Sequence, residues 1–437
     1  MFYAAGLTVS WSVVLVIGLF GIMLPLLRRM RQRTSGTSRR VCVLVLGDIG
    51  RSPRMRYHSL SLSKHGFNVT FVGFVETKPP EDLLKEDKIK IVPIREMKGV
   101  KGPKILTYAT KVVFQCLQLL SVLMRMELQS HILMQNPPGL PSISVAWFVS
   151  ILRGSRLIID WHNYGYSIMA LSHGQGHPVV RLAERYEHFF GPLATHSLCV
   201  TNAMKADLQN NWGIRATTLY DRPASFFRET PLEVQHELFL KLANTHPQFQ
   251  SSISELEEKN LEKTAFTVRD FTHDTVTRRP KRPALLISST SWTEDEDFSV
   301  LLKALEGKRS GNCSLYIHEW SPIGLRVRRL RQRRSFTAIF SLCDHSGLDL
   351  PMKVVDMFGC CLPVCAIHFS CLHELVKHEE NGLIFRDFQE LAEQLKSLLS
   401  EFPSSESKLG MFRRNLRISR GQCWDDNWDQ IVLPLIT

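Results

Sequence analysis

Apolar residues fall into short unbroken runs closed by turn signals, and these alternate with longer stretches of helical spacing. The run Val41-Cys42-Val43-Leu44-Val45-Leu46 stops at Gly47-Asp48-Ile49-Gly50 and predicts a parallel strand covered on both faces. Similar strands are expected at Val69–Val72, Ile89–Val92, Ile132–Met134, Leu157–Ile159 and Ser197–Val200, with helices over Arg54–His65 and Thr107–Met126. Strand and helix in alternation predict a doubly wound α/β sheet over residues 41–230. Residues 231–282 turn polar and charged, and are expected as a helical edge followed by a mobile insertion from Ser251 to Arg282. A second α/β unit, residues 283–400, opens at Pro283-Ala284-Leu285-Leu286-Ile287-Ser288, resumes around Gly347–Ala366 and closes in a helix over Asp387–Leu399. The tail, residues 401–437, carries Trp424 and Trp428 and is placed to cross back onto the first domain.

Ahead of the first strand, Met1–Leu27 contains no Asp, Glu, Lys or Arg, and a basic linker of residues 28–40 follows, with Arg28, Arg29, Arg31, Arg33, Arg39 and Arg40. An uncharged apolar stretch of that length can cross the ~30 Å hydrocarbon layer as one helix. A cleaved signal peptide would carry positive charge before a shorter apolar core. With the positive charge on the C-terminal flank, the expected topology is a lumenal N-terminus and a cytosolic body. Ten cysteines without paired spacing point to a reducing compartment. Cys360, Cys361 and Cys365 lie in an apolar run without the ligand spacing of zinc sites, so they are expected to pack and not to hold metal. The net charge of +12 suits an acidic partner, whether nucleic acid, an anionic membrane or a phosphorylated substrate, without choosing among them.

Candidate chemistry sits where strands end. The loop Gly47-Asp48-Ile49-Gly50-Arg51-Ser52-Pro53-Arg54 opens a helix, whose free N–H groups, with Arg51 and Arg54, could receive a phosphate or diphosphate. A plain strand-to-helix turn with solvated arginines is the competing account, because the loop is not a dinucleotide fingerprint. Gln135-Asn136-Pro137-Pro138-Gly139 and Asp160-Trp161-His162-Asn163-Tyr164-Gly165 also follow apolar strands, where ligand crevices of open α/β sheets form. Asp160 and His162 are both candidates for a general base, and both could instead be loop caps. In Gly347-Leu348-Asp349-Leu350-Pro351-Met352-Lys353, continuing to Asp356 and Gly359, a helix N-terminus with Lys353 can bind phosphate. Asp356, one turn on, can reach a ribose diol. The acidic cluster Thr293–Asp297 reads as a first helical turn and not as a metal site.

Gly47–Met55, Gln135–Gly139, Asp160–Ser167, Ser288–Phe298 and Ser346–Cys360 together resemble the chitobiosyldiphosphodolichol β-mannosyltransferase family. The resemblance covers nearly the whole chain up to Glu306 and resumes from Ser346. It implies a GT-B fold, with an acceptor domain at residues 41–230, a donor domain at 283–400 and an intervening crevice. It also implies a GDP-mannose donor, a dolichyl-diphosphate chitobiose acceptor and an inverting β-1,4 transfer at the endoplasmic reticulum membrane, without a bound cofactor or metal. Carried over by position, Gly347, Asp349, Lys353 and Asp356 belong to the donor side. Asp160 or His162 would be the base, and Gly47, Gly50, Arg51, Arg54 and Asn136 would serve the acceptor and its diphosphate.

Residues 307–345 depart from the family and hold the arginine-rich stretch Arg326–Arg334 where further α/β structure is expected. That departure raises an alternative: an inactive paralogue or splice form serving as a scaffold for other mannosyltransferases of the pathway. A nucleic-acid binder is disfavoured, since the basic run is isolated and lacks interleaved aromatics.

Overall fold

The computed structural model describes residues 36–97, 104–251, 260–288, 299–306, 347–419 and 423–437, with short pieces at 25, 30–32, 315–319, 326–330 and 338–341. The expected anchor (apart from residue 25), part of the basic linker, the acidic cluster Thr293–Asp297 and most of residues 307–345 lie outside the described residues. The chain divides into two compact units, one running through Leu219 and taking back Trp428–Thr437, the other Tyr220–Asn427.

The first unit is built on seven parallel strands: β1 Arg40–Asp48, β2 Asn68–Phe74, β3 Ile89–Ile94, β4 His131–Asn136, β5 Arg156–Trp161, β6 His196–Cys199 and β7 Ala216–Thr218. Their order, β3-β2-β1-β4-β5-β6-β7, reverses between β1 and β4, which makes the topological switch point at which open α/β sheets bind ligands. Val41 to Val45 are at most 1% exposed, so the apolar run of β1 is buried on both faces, as its unbroken pattern requires. Helices α1 Pro53–Lys64, α2 Lys104–Arg125, α3 Ser142–Arg153, α4 Gly165–His173, α5 Pro178–Phe190 and α6 Asn202–Trp212 connect the strands. Local chemistry sets their ends. Thr201 caps α6 by accepting the Met204 N–H at 3.0 Å, and Gly213 closes it in the left-handed region at φ +65°.

Helix α2 differs from its neighbours. Its stretch Leu106–Arg125 is long and apolar enough to cross a membrane, yet little of it is buried. Leu119 and Leu123 face the core, while Leu106, Val113 and Leu117 are exposed.

The second unit holds a parallel sheet of β11 Leu286–Ser288, β14 Ala338–Ser341, β15 Val364–Ile367 and β16 Gly382–Phe385, paired in that order. Alternation along β15 divides its core: Cys365 packs with Leu286, Phe385 and Phe412, while Val364 and Ala366 pack with Val354 and Leu372. Helices α7 Leu232–Thr245, α8 Ser299–Glu306, α9 Met352–Gly359, α10 Phe388–Leu399 and α11 Lys408–Ile418 belong here; α12 Trp424–Ile431 leads out of this unit. Asp387 caps α10 by accepting the Gln389 and Glu390 N–H groups, both at 2.9 Å. The backbone of β12 Leu315–Glu319 pairs antiparallel with β13 Arg326–Leu330, so the start of the arginine-rich stretch is a strand.

Two expectations change. The stretch from Ser251 to Arg282, read as a mobile insertion, holds a three-stranded antiparallel sheet of β8 Leu261–Lys263, β9 Thr267–Asp270 and β10 Thr275–Arg278. Buried Thr264 turns the first hairpin, its Oγ1 accepting the Phe266 and Thr267 N–H groups, and Phe266 packs against Phe239 of α7 with ring centroids 4.8 Å apart. Strands of three or four residues, polar on the open face, are too short for alternation to be read from sequence. The unit boundary also falls at Leu219 and not at residue 230.

Candidate active site

In the first unit the loops after β1, β4 and β5 converge at the switch point. Asp48, at the end of β1, accepts the backbone N–H groups of Gly50 at 3.4 Å, Glu76 at 3.1 Å and Thr77 at 3.3 Å, which ties the loop to the end of β2. Thr77 also donates its hydroxyl to Asp48, and a side chain at Gly50 would collide with that hydroxyl. Gly47 has no such crowding; the nearest atom to an added Cβ would be Val45 Cγ2 at 3.4 Å. The Arg51 side chain is 72% exposed and stands 3.7 Å from Asp48, so its guanidinium remains accessible to an anion.

Arg54, in the first turn of α1, turns inward where a diphosphate contact was expected. Its side chain is 3% exposed; Nε and Nη2 donate to Asp160 Oδ2 and Oδ1 at 2.7 and 2.9 Å, and Nη1 donates to the Leu219 carbonyl at 3.0 Å. A guanidinium committed on both edges is not offered to a diphosphate; it holds Asp160. Asp160 is fully buried and is also met by His58 Nε2 at 3.1 Å and His162 Nε2 at 3.0 Å. Burial by itself would raise this carboxyl, but the charge of Arg54 and the two histidine hydrogen bonds outweigh it and hold Asp160 well below its ordinary value. Such a carboxylate is a poor base.

The histidine tautomers follow from their partners. Trp428 Nε1–H can only donate, and it donates to His58 Nδ1 at 2.9 Å; His58 therefore carries its proton on Nε2 and donates it to Asp160. Burial lowers the His58 pKa and keeps the ring neutral. Ionised Asp160 accepts only, so His162 also donates from Nε2, which leaves Nδ1 as its basic nitrogen. Unlike Asp160, the His162 side chain is 22% exposed.

Behind these residues, Glu187 of α5 is buried and draws two loops together. It accepts the Gly165 N–H at 2.9 Å and the Tyr166 N–H at 3.3 Å, capping α4, and it also takes a hydrogen bond from Asn136. Burial exceeds those hydrogen bonds and raises the carboxyl to about 7. An added Cβ at Gly139 or Gly165 would lie 2.9 or 2.6 Å from its Oε1, so both glycines are needed for close approach. Asn136 is fully buried and donates to the Asn163 carbonyl at 3.2 Å, which braces the loop.

In the second unit Gly347 adopts φ +71°, a conformation that favours glycine, ahead of the turn into α9. Cys371 Sγ donates to the Asp349 carbonyl at 3.4 Å, tying this loop to the segment after β15. Pro351 caps α9 without a side-chain hydrogen bond, and Lys353 lies in the first turn. Asp356 follows on the same helix, its carboxyl raised to about 7 by burial and then by the neighbouring charge of Asp221.

Sequence reading passed over His58 and Glu187, and named Trp428 only as part of a tail crossing back onto the first domain, without a role at this site. His58 stands four residues after Arg54, the spacing that puts two helical side chains on one face, so that pairing was legible. Trp428 and Glu187 reach the site only through long-range packing, for which the sequence carries no local signal.

No family model matches the chain. It is 50% identical to the chitobiosyldiphosphodolichol beta-mannosyltransferase of Mus musculus over 98% of this chain and 95% of that protein. With the protein of the same name from Homo sapiens it shares 52% identity over 95% and 97%. UDP-glycosyltransferase TURAN of Arabidopsis thaliana is 36% identical over 92% and 98%. Among solved structures, a glycosyltransferase from Rickettsia africae matches with a TM-score of 0.58 at 10% identity, over 91% of this chain and 97% of its own. Sucrose-phosphate synthase from Thermosynechococcus elongatus matches with a TM-score of 0.59 at 12% identity, over 91% and 96%. At such identities the likeness shows the fold alone, the α/β fold of GT-B glycosyltransferases. Half-identity sustained over nearly the full length of both chains is stronger: this chain belongs to the chitobiosyldiphosphodolichol β-mannosyltransferase family.

Proposed function

We propose that the chain transfers mannose from GDP-mannose to dolichyl-diphosphate chitobiose, forming a β-1,4 linkage at the cytosolic face of the endoplasmic reticulum membrane. An α-linked donor and a β-linked product require inversion in a single displacement. The acceptor hydroxyl oxygen bonds to the mannose anomeric carbon as the bond to the GDP oxygen breaks, and one base takes the hydroxyl proton. The observation that carries this reading is the His162–Asp160 pair. His162 donates from Nε2 to a carboxylate that Arg54 keeps ionised, which orients the ring and stabilises the imidazolium formed when Nδ1 takes the proton. Asp160 is thus a positioning residue and His162 the base.

Exposed Arg51 is the candidate for the acceptor diphosphate, since Arg54 is already taken. On the donor side, Lys353 and the start of α9 suit the GDP phosphates, and Asp356, its carboxyl raised by burial, suits the ribose diol. The exposed apolar residues Leu106, Val113 and Leu117 of α2 support a lipid-facing surface beside the anchor expected in residues 1–27.

The test is transfer of labelled mannose from GDP-mannose to phytanyl-diphosphate chitobiose by the chain in membranes, with the product challenged by β-mannosidase. His162→Gln should lower kcat by about 10²–10⁴-fold and leave GDP-mannose binding intact. A β-mannosidase-resistant product would sink the linkage, and a fully active His162→Gln would sink the base assignment.

A further inference from the structure

The second unit contains a cationic pocket that the transfer reaction does not use. It encloses about 250 Å³, and its lining includes Arg278, Arg282 and Arg413 together with Phe239, Phe266 and Phe402. Among the described residues, Glu229 is the one carboxylate in the lining, and it is consumed: Arg417 grips both of its oxygens, Nε to Oε2 at 3.0 Å and Nη2 to Oε1 at 2.7 Å. No carboxylate among the described residues is hydrogen-bonded to the other three guanidinium groups. Arg282 donates to the Arg279 carbonyl at 3.2 Å and lies over the Phe402 ring at 5.2 Å, contacts that leave its charge unneutralised. Arg413 buries its Nε without a hydrogen-bond partner among the described residues.

Such an arrangement is costly as it stands. Burial, and then the adjoining charge of Arg278, push the Arg413 guanidinium down to about 10. Folding brings three cations together and leaves a buried donor unmade, which an anion seated among them would reverse. Guanidinium forks match the oxygens of a phosphoryl group, and several of them match its multiple charge better than they match a single carboxylate. The phenylalanines of the lining supply apolar surface for the organic part of a phosphorylated molecule.

The place in the sheet separates this pocket from the donor loop. Pro283 and Leu285 lead into β11, and Cys360, Cys361 and Leu362 lead into β15, so the pocket opens at the entry ends of the strands. The Gly347–Lys353 loop lies at the opposite, carboxyl ends. We propose that this pocket is a second anion site, binding the phosphoryl or diphosphate group of a small organic phosphate through Arg278, Arg282 and Arg413. The inference does not depend on the donor being GDP-mannose.

Inorganic pyrophosphate is the probe, titrated calorimetrically into the full chain, with the R278Q/R413Q double variant and K353Q alongside. The double variant should lose a pyrophosphate-binding event or weaken it about tenfold or more, and K353Q, which touches only binding at the donor loop, should retain that event. Because the substitutions remove repelling cations, the melting temperature of the double variant without pyrophosphate should not fall. If it does fall, R282Q decides, since it leaves Arg413 in place; it should weaken binding about threefold or more. Absence of pyrophosphate binding by the parent chain would overturn the proposal. So would loss of binding in K353Q with retention in the arginine variants, which would assign the anion to the donor loop.

Discussion

Replacing Arg54 by Met tests the buried ionic centre of the first unit. Met keeps much of the volume and removes the charge, leaving Asp160, fully buried, with only two histidine hydrogen bonds. Two unit charges about 4 Å apart interact by roughly 4 kcal/mol at an effective dielectric of about 20. Stranding one partner of a buried pair typically costs about 3–5 kcal/mol. For a unit of this size that is a fall in Tm of about 6–20 °C. The cost has a sign in pH. Because the folded-state pKa of Asp160 is depressed, the pair stabilises above the unfolded carboxyl value of about 3.9, and the contribution is lost as pH falls through the folded value. In Arg54→Met that folded value rises, so Asp160 protonates sooner and sheds its buried charge. The deficit relative to the parent should therefore be greatest near neutral pH and shrink on acidification. Thermal unfolding of parent and variant across that range, followed by tryptophan fluorescence, reads both. A deficit under about 1 kcal/mol at neutral pH, or one that does not change with pH, would refute the account of Arg54 as the partner that keeps Asp160 ionised.

Trp428→Phe removes the donor to His58 Nδ1, frees that ring to change tautomer, and should cost about 1–3 kcal/mol; an unchanged urea midpoint would show that the hydrogen bond carries no weight. Glu187 is raised from 4.5 to about 7, so folding takes up a proton between those values and its contribution to stability falls as pH rises through that window. Glu187→Gln removes this slope, and its urea midpoint relative to the parent should improve between about pH 5 and about pH 8; a relative midpoint flat with pH would contradict the raised carboxyl.

Local pattern was enough for six of the seven strands of the first unit and for helices α1 and α2. An apolar run bounded by glycine, such as Val41–Leu46, has few alternatives to a buried parallel strand, and Asp387 before an amphipathic stretch has few alternatives to a helix cap. The family was legible too, because motifs such as Asp160–Ser167 keep residue identity and spacing together. What tertiary structure decided is which way side chains turn. Arg51 and Arg54 look alike in sequence, three positions apart in one loop; the helix sends one to solvent and the other inward to Asp160, 106 residues along the chain. Asp160 and His162 look alike as candidates for the base in sequence; in the fold the Arg54 charge and the histidine hydrogen bonds overcome burial and lower the Asp160 carboxyl, while His162 keeps its Nδ1 off that carboxylate. Trp428, 370 residues from His58, sets a tautomer that no local pattern specifies. A short-range pattern reports the backbone because backbone hydrogen bonds and apolar periodicity are local. The protonation of a buried group depends on every charge and dipole packed around it, and those neighbours are assembled only by the fold.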